Sequence, residues 1–222
     1  MSNDVCEENK ATLKKVTDSP YWMQTFSGLA FDLANPQPEQ IMLVDIAHHL
    51  SRIARFNGAT KGQFGWSVAQ HSLLAEQLLP NDADATMRMH VLLHDAHEAY
   101  IGDLIRPLIK IIANIVKRDV VFGLKVSIDW VIYQAFSLKP PTEEQSEIIK
   151  DIDAFALDLE RLRFMQPQPR PWSVPTFEGR TISGDAEYIL SEVWTPDGAK
   201  QQFIDRMLDL VAMRHGLLPG RR

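Results

Sequence analysis

The chain has 222 residues, of which 45% are hydrophobic, and this composition is sufficient to bury a substantial core. Its 29 acidic side chains outnumber its 23 lysines and arginines, which gives a formal net charge of -6 at pH 7. This acidic balance argues against a general binder of duplex nucleic acid, because such binding depends on clustered lysine and arginine. Any anionic substrate must therefore be bound by a few local cations.

Cysteine usage and hydropathy bear on where the protein works. The single cysteine, Cys6, cannot form an internal disulfide, and this favours a reducing, cytoplasmic setting. Residues 1–15 contain three acidic side chains and no continuous apolar segment, so they do not resemble a signal peptide. The most apolar later segment, residues 104–116, is interrupted by charged and polar side chains. We therefore expect no membrane association.

Apolar residues recur at three- and four-residue steps through most of the chain, and the first segment of this kind covers residues 38–55. Ser67 followed by Gln70 is typical of a helix N-terminus, because each side chain can bond the backbone N–H of the other residue. A second helix is therefore predicted to begin at Ser67, with His71 in its first turn.

Three further helical segments follow. One is predicted over residues 82–100, and Gly102 would end it, because glycine readily adopts the left-handed conformation of a helix C-terminus. Residues 107–137 are typical of one or two apolar helices. Residues 142–145 match a capping box, and the helix that they open carries an apolar stripe with Asp153 beside it.

The C-terminal part begins with a proline-rich segment at residues 166–175, which is predicted to be an ordered surface loop. Two closing helices follow, roughly at residues 185–193 and 199–215. No alternating pattern typical of a strand is found along the chain. The sequence therefore predicts an all-α fold, a single bundle of about seven helices.

The histidines are concentrated, since six of the seven lie between residues 48 and 97. The most distinctive segment is residues 93–98, Leu-His-Asp-Ala-His-Glu, in which polar side chains interrupt an apolar helix. Imidazole and carboxylate groups are costly to bury without a partner, and a divalent metal ion is an effective one. A surface pair or a buried hydrogen bond between His94 and Asp95 is the alternative that periodicity leaves open.

A longer pattern gives this segment a family context. His71, the pair His94-Asp95 and a distal Asp153 follow one another in the order of the H…HD…D signature, and the chain resembles the HD phosphohydrolase superfamily in this respect. The resemblance covers roughly residues 41–164. Four ligand types in this order are specific enough to predict the fold and the chemistry of the superfamily.

Two segments carry a closer resemblance, Val68–Ser72 and His94–Pro107. They are similar to the bacterial YfbR-like 5'-deoxynucleotidases and to short HD hydrolases of phages. The resemblance implies three parts of the chain. These are an N-terminal leader and loop over residues 1–37, an HD phosphohydrolase core over residues 38–165, and a C-terminal loop and helices packed on the core over residues 166–222.

The resemblance implies that His71, His94, Asp95 and Asp153 coordinate one divalent ion. Two imidazoles and two carboxylates leave coordination positions for a water and a phosphate oxygen. Such mixed ligands suit Mn, Co, Fe, Ni or Zn better than Mg, which prefers a shell of oxygen atoms. Other acidic residues near Asp153 in the same helix are alternatives for the fourth ligand.

Two further histidines, His90 and His97, flank the HD pair and raise the question of a second ion. Binuclear members of the superfamily carry additional histidines after the HD pair, whereas none occurs here between His97 and His215. The sequence therefore predicts a single ion, with His90 and His97 in the core or behind the ligands.

Glu98 matches the catalytic glutamate of the family. On a helix it would share a face with His94 and Asp95, which precede it by four and three residues. The resemblance implies catalytic roles for Glu98 and Asp95, with Glu98 positioning the attacking water or transferring a proton. A salt bridge on the helix surface is the alternative for Glu98. Asp103 matches a family aspartate that contacts the sugar hydroxyl, and a turn at the helix end with Gly102 is its alternative.

A phosphorylated substrate needs cations and, for a nucleotide, a ring to stack on the base. Arg55-Phe56 resembles the Arg-Trp pair with which the deoxynucleotidases bind phosphate and stack on the base. Trp66 is the alternative ring to Phe56, and either could instead belong to the core. Arg106 and Lys110 follow the HD segment and are predicted to contact the substrate as well.

Together these features predict a metal-dependent phosphohydrolase that releases phosphate from deoxynucleoside monophosphates. Three alternatives stay open: a triphosphohydrolase acting on deoxynucleoside triphosphates, a cyclic-nucleotide or oligonucleotide phosphodiesterase, and a nucleotide sensor that keeps the metal as a structural clamp. A homodimer is also expected from the resemblance. The predicted helix over residues 199–215 is a candidate interface, although packing on its own core is the role that we expect for it.

Overall fold

The computed structural model describes residues 18–172, 175, 177 and 179–217. The predictions for Cys6 and for the start of the chain lie outside the described residues. Within them, two strands, two short 3₁₀ helices and nine α-helices follow one another. The strands are β1 (Trp22–Gln24) and β2 (Ala30–Asp32), and the 3₁₀ helices are Pro38–Gln40 and Arg55–Gly58. The α-helices are α1 (Leu43–Leu50), α2 (Val68–Gln77), α3 (Ala85–Leu92), α4 (Glu98–Ile101), α5 (Arg106–Val116), α6 (Val120–Ala135), α7 (Glu143–Phe164), α8 (Gly184–Ser191) and α9 (Pro196–Arg214).

The predicted all-α character is confirmed, with one exception at the start of the described chain. Strands β1 and β2 pair in antiparallel register, Trp22 opposite Asp32, although no strand was predicted. Strands of three residues are too short to show an alternating pattern. The hairpin is nevertheless anchored, because Phe31 is fully buried and its ring stacks on Tyr100 at 3.9 Å between centroids.

Several predicted helix starts are confirmed by their caps. The Ser67 hydroxyl accepts from the Gln70 N–H at 3.2 Å, which begins α2. Thr142 and Gln145 form the complete capping box of α7. The predicted apolar stretch after residue 107 forms the two helices α5 and α6, and the two closing helices correspond to α8 and α9.

Two predicted helices are divided in the structure. The segment 38–55 contains a 3₁₀ turn and the shorter α1, because the Gln40 side chain accepts from the Gln37 N–H and closes the first turn early. The segment 82–100 is interrupted after Leu92. Residues 93–97 instead form tight turns, in which the bonds of the His94, Ala96 and Glu98 N–H groups span three residues. These interruptions give more and shorter helices than the seven predicted.

The core is arranged around α2, which is buried at every position except its last residue. It packs against α3, α7, α8 and α9. Three of these helices are joined by buried charges: the Glu76 carboxylate on α2 accepts from Arg88 on α3 and from Arg206 on α9 at 2.5–2.9 Å. Each of these charges is paired, as burial requires. Helix α9 contributes Phe203 and other apolar side chains to the core, which is the role predicted for it.

Helices α5 and α6 have a different character from the rest. Helix α5 has no buried residue, and both helices present large apolar side chains to solvent. The exposed ones are Leu108, Ile111, Ile115, Val116, Val120, Phe122, Val126 and Trp130. Among the described residues, no helix combines the length and the apolar character needed to cross a bilayer.

Candidate metal centre

The four predicted ligands converge in the structure. One donor atom from each of His71, His94, Asp95 and Asp153 lies within 4.8 Å of the others. The Nε2 atoms of the two histidines are 3.2 Å apart, and His71 Nε2 is 3.3 Å from Asp153 Oδ1. Asp95 Oδ2 lies 3.2 Å from His94 Nε2 and 3.5 Å from His71 Nε2. This group can hold a metal ion.

The break between α3 and α4 shapes this group. Consecutive side chains of an α-helix point about 100° apart, so two neighbours in sequence do not normally face the same point. In the tight turns after Leu92, the Ala96 N–H donates to the Leu93 carbonyl and the Glu98 N–H to the Asp95 carbonyl. His94 and Asp95 can both face His71 on α2 because they lie in these turns rather than in the continuous helix that was predicted.

Hydrogen bonds on the far side of each ring determine which nitrogen faces the cluster. His94 Nδ1 donates to the Val91 carbonyl at 2.8 Å, and a carbonyl can only accept. His71 Nδ1 lies 2.5 Å from Glu160 Oε1, also an acceptor when ionised. In the neutral form of each ring, Nδ1 therefore carries the hydrogen and Nε2 directs a lone pair at the other ligands. Metal-binding histidines are oriented in this way.

The electrostatics of the cluster favour a cation. Burial alone would lower the pKa of His94, but Asp95 and Asp153 raise it to about 10. For His71 the opposing effects of burial and Arg55 are outweighed by Glu160, Asp153 and Asp95, and its pKa is raised well above 6.5. Burial would raise the pKa of Asp95 and of Asp153, yet the two histidines hold both below the usual range. The two histidines thus bind protons strongly beside two ionised carboxylates, and a divalent ion would displace the protons of the histidines.

Glu160 lies behind the His71 ring, and it was not predicted from the sequence. It is fully buried on α7 and accepts from Arg55 Nε at 3.0 Å as well as facing His71. Burial raises the pKa of Glu160, but Arg55 and His71 lower it below its ordinary value. Its position seven residues after Asp153, two helical turns on the same face, was an available signal.

Arg55 is placed differently from the prediction. Its side chain is only 9% exposed, and besides Glu160 it approaches Asp95 Oδ2 at 3.5 Å. Burial would lower the pKa of Arg55, but Glu160 and Asp95 raise it. The guanidinium therefore pairs with carboxylates of the protein, Glu160 and Asp95, on the buried side of the cluster.

The backbone around Arg55 explains its burial. An isolated bridge pairs Ala54 with Ser67, and the Arg55 N–H donates to the Trp66 carbonyl at 2.8 Å. Gly65 allows this close approach, since a Cβ there would lie 2.6 Å from the Ala54 Cβ. The bridge holds Arg55 beside the N-terminus of α2.

Of the two rings predicted to stack on a substrate, Trp66 takes the alternative position in the core. It is fully buried and stacks on Phe164 at 4.4 Å between centroids, so it belongs to the core. Phe56 is half-buried and meets Trp172 edge to face at 6.1 Å, with a left-handed backbone (φ 56°). Phe56 therefore keeps a partly accessible ring face.

Glu98 lies at the edge of the cluster and is not a surface residue. It is 4% exposed, and burial together with the nearby Asp95 and Asp103 raises its pKa from 4.5 to about 9. Lys125 on α6 extends to within 3.9 Å of Glu98 Oε1. Lys125 was not predicted from the sequence, although charged residues such as Lys125 and Asp129 within an apolar helix indicate that each needs a polar partner.

The remaining residues predicted to contact the substrate lie on the solvent-exposed side of the cluster. Asp103 follows Gly102, whose φ of 77° ends α4, and its pKa is raised by burial and by Asp95. Arg106 Nη2 is 3.7 Å from Asp153 Oδ2, and its side chain is 69% exposed. Lys110, one turn further along α5, is exposed to solvent. Arg106 thus borders the cluster directly, whereas Lys110 lies further out.

The flanking histidines are both buried. His90 meets Tyr133 edge to face at 5.4 Å, and burial lowers its pKa, which agrees with the core position predicted for it. His97 Nδ1 lies 2.9 Å from Asp129 Oδ1 on α6. His49 links the hairpin to α4, because it accepts from the Phe26 N–H and bonds the Ala99 carbonyl.

An open cavity of about 570 Å³ lies beside Glu98, although none of His71, His94, Asp95 and Asp153 lines it. It extends from Glu98 and Gly102 to the turn of the β1–β2 hairpin, and residues of α1 form one wall. The Phe26 ring, which stacks on His48 at 3.6 Å, is half exposed at the hairpin end. The cavity therefore offers space for a small molecule immediately beside a buried carboxyl group.

No protein-family model matches the chain. A stretch of 90 residues is 43% identical to an uncharacterized protein of Rhodobacter capsulatus, and it covers 39% of this chain but only 46% of that protein. The uncharacterized protein YfdR of Escherichia coli K12 is 31% identical over 193 residues, which are 87% of this chain and 97% of YfdR. The likeness to YfdR extends over nearly the whole of both proteins, and the chain therefore belongs to the same protein family as YfdR.

Proposed function

We propose that the protein is a metal-dependent phosphohydrolase of the HD superfamily that releases phosphate from deoxynucleoside monophosphates. The observation that carries this proposal is the convergence of His71, His94, Asp95 and Asp153 beside the buried Glu98. A hydrolase needs a metal-binding group, an adjacent proton donor or acceptor and space for the substrate, and all three lie together here.

The donor set fits a divalent transition metal. Two imidazole lone pairs face two carboxylates across 3.2–3.8 Å, and each ring is fixed by an acceptor behind it. His71, His94, Asp95 and Asp153 would hold the ion. When bound, such an ion lowers the pKa of a coordinated water and neutralises phosphate charge.

The chain itself supplies the proton chemistry and the binding of the phosphate. Glu98, whose pKa is raised by burial and by Asp95 in the metal-free protein, can hold a proton and give it to a leaving oxygen. Lys125 beside it would stabilise the carboxylate that remains. Arg106, exposed at the edge of the cluster, is free to form charge-assisted hydrogen bonds to phosphate oxygens.

The adjoining cavity is where the nucleoside part would bind. Its volume lies within the range typical of small-ligand pockets. At one end the Phe26 ring stacks on His48 and has Lys200 Nζ 4.3 Å from its centroid, so a base would have to displace Lys200 to stack there; Asp103 follows the other end as a hydrogen-bond acceptor for a sugar hydroxyl. A phosphate near Arg106 and a base near Phe26 would place the scissile bond close to Glu98.

Hydrolysis of deoxynucleoside triphosphates is the second candidate function. The observation that favours it is that three cations, Arg106, Lys110 and Lys125, lie on the contacting helices α5 and α6. A triphosphate carries more negative charge and could contact all three. The two functions share the metal-binding group and the attack on the phosphorus that carries the 5' oxygen, and they differ in the number of phosphate groups beyond that phosphorus.

The test is to measure phosphate and triphosphate release from deoxynucleoside mono- and triphosphates with Mn, Co or Zn added. We expect free phosphate from monophosphates; triphosphate release would favour the second candidate. Faster hydrolysis of bis(p-nitrophenyl) phosphate than of monoesters would indicate a phosphodiesterase instead. Nucleotide binding without turnover under every metal would indicate a sensor.

Matched variants connect the activity to the site. His94→Ala should lose the metal and the activity together. Glu98→Gln should keep metal at the four-ligand centre and lose about 10²–10⁴-fold in rate, the usual contribution of a general acid or base. Glu147→Gln, an exposed glutamate on α7, is the control and should retain full activity. Full activity of Glu98→Gln would contradict the proposed role of Glu98.

A further inference from the structure

His97 is a buried histidine with one nitrogen unpaired. It is 4% exposed, its Nδ1 faces Asp129 Oδ1 at 2.9 Å, and within the described residues its Nε2 has no hydrogen-bond partner. Because an ionised carboxylate can only accept, Nδ1 carries the hydrogen and Nε2 of the neutral ring presents a lone pair. His71 has the same arrangement, with Glu160 in the place of Asp129. A buried lone pair without a donor is unfavourable and therefore calls for a partner.

Glu98 presents a second unpaired atom in the same region. Its Oε2 is buried and has no hydrogen-bond partner among the described residues. Its other oxygen is 3.9 Å from Lys125 Nζ, which is longer than an N–H···O hydrogen bond. Both oxygens of this carboxylate are therefore available for a stronger partner.

These two groups meet a third at the edge of the first cluster. A ring nitrogen of His97 and one carboxylate oxygen each from Asp95 and Glu98 lie within 4.8 Å of one another. Asp95 faces His71 and His94 with its Oδ2 atom. Its second oxygen, Oδ1, does not take part in these short contacts, and a carboxylate can bridge two ions through its two oxygens.

We propose that the protein binds a second divalent cation between Asp95, His97 and Glu98, with the Asp95 carboxylate shared between the two ions. One imidazole and two carboxylates suit Mn²⁺, Fe²⁺, Co²⁺ or Zn²⁺ better than Mg²⁺. The site goes beyond the single ion predicted from the sequence, since it uses a histidine two residues after Asp95 in place of later ones. It rests on the proposed function for the first ion.

The surrounding charges are compatible with this cation. Lys125 is the nearest described positive group at Glu98, and its long side chain, 23% exposed, can turn towards solvent when an ion occupies the site. Asp129 and Asp103 add negative charge nearby. With the second ion present, Glu98 holds a metal rather than a proton, so metal occupancy determines which of its two roles applies.

The test is to count ions in the full-length protein. Metal-free protein is saturated with Mn²⁺ in equilibrium dialysis, and metal per chain is measured by mass spectrometry. We expect two ions for the wild type and one for His97→Gln, which keeps a polar side chain but removes the ring. Electron paramagnetic resonance should show spin coupling between the two Mn²⁺ ions in the wild type and an uncoupled spectrum in His97→Gln.

Two further variants keep the experiment decisive. Glu98→Gln should also bind one ion, which provides an independent variant should His97→Gln fail to fold by circular dichroism. His90→Gln is the matched control, because His90 is also buried with an unpaired Nδ1 but meets Tyr133 instead of carboxylates; it should retain two ions. A single ion in the saturated wild type would overturn the inference, as would two ions in both His97→Gln and Glu98→Gln. Two ions at saturation without hydrolysis at any Mn²⁺ concentration, including one ion per chain, would keep this site and overturn the proposed function, whereas hydrolysis with only one ion at saturation would do the reverse.

Discussion

The two sides of the metal cluster differ in construction. On the inner side, His71 on α2 and Glu160 on α7 are fully buried, and each polar atom that faces inward is bound by another. On the outer side, α5 has no buried residue and Arg106 is 69% exposed. Groups that could hold a metal are thus built into the core, whereas groups that would contact a substrate lie on the surface. Substitutions on the inner side should reduce both the stability of the fold and metal binding, and those on the outer side should reduce substrate binding alone.

The largest effect is expected from Glu160→Ala on the inner side. Its removal leaves Arg55 buried without its main partner and His71 without its acceptor, and breaking a buried pair in this way costs about 3–5 kcal/mol. Urea unfolding of the metal-free protein measures the loss. Glu147→Ala, an exposed glutamate of the same helix, should change the free energy of unfolding by less than about 0.5 kcal/mol. Equal effects of the two substitutions would contradict the contrast.

A second prediction concerns pH. The pKa of His94 is raised from 6.5 to about 10, so its contribution to stability is complete below pH 6.5 and is lost as the pH rises through 10. The raised pKa of Glu98 acts in the same direction between pH 4.5 and about 9. Metal binding displaces protons, so its stabilising effect should grow by about 1.4 kcal/mol per pH unit for each proton released. Thermal unfolding with and without Mn²⁺ at pH 6, 7 and 8 tests this, and a metal effect independent of pH would refute it.

On the outer side, Arg106→Ala should raise the KM for a nucleotide about tenfold, which corresponds to about 1.4 kcal/mol. Neither metal content nor unfolding free energy should change, because the side chain is largely exposed. Steady-state kinetics and metal analysis check both halves of this expectation. Lys110→Ala, one turn further along α5, is the comparison variant and should have a smaller effect on monophosphates than on triphosphates.

The smallest effect is expected from Ile115→Lys on α5. The side chain is 71% exposed, so unfolding free energy should change by less than about 0.5 kcal/mol and metal content should stay constant. Sedimentation of the wild type and this variant also tests the homodimer expected from the resemblance, because exposed apolar side chains concentrate on α5 and α6. A large loss of stability in this variant as a monomer would show that the outer side is part of the core after all.

The order of the ligand residues along the chain predicted the cluster through the resemblance to the HD superfamily, whereas residue spacing alone left a surface pair or a buried hydrogen bond open. The caps at Ser67 and Thr142 were predictable from the local sequence, since each depends on residues within one turn. The break after Leu92 was not predictable, because the sequence 82–100 favours a continuous helix. His94 and Asp95 contact His71, which lies in a distant part of the chain, and such tertiary contacts override the local preference for a continuous helix.

Substrate contacts were predicted less well than ligands. Arg55 and Trp66 are a cation and a ring near the site in sequence, and both are buried behind it in the structure. Their burial depends on pairing with Glu160 and Phe164 on α7, about a hundred residues later, which no local pattern reveals. The contact of Lys125 with Glu98 depends on tertiary structure as well, because Lys125 lies on α6 and Glu98 on α4.

The positions of the four proposed ligands along the chain would also determine the order of folding and metal loading. They come from α2, from the turns after α3 and from α7, so the unfolded chain has no compact set of donors comparable to that of a zinc finger. The bundle must therefore assemble before an ion can bind with all four ligands. A protein that folds first and is loaded afterwards takes the ion that its surroundings supply at that moment, within the order of affinities of its donors. The metal found in a purified preparation would then report the growth medium as much as the chemical preference of the site.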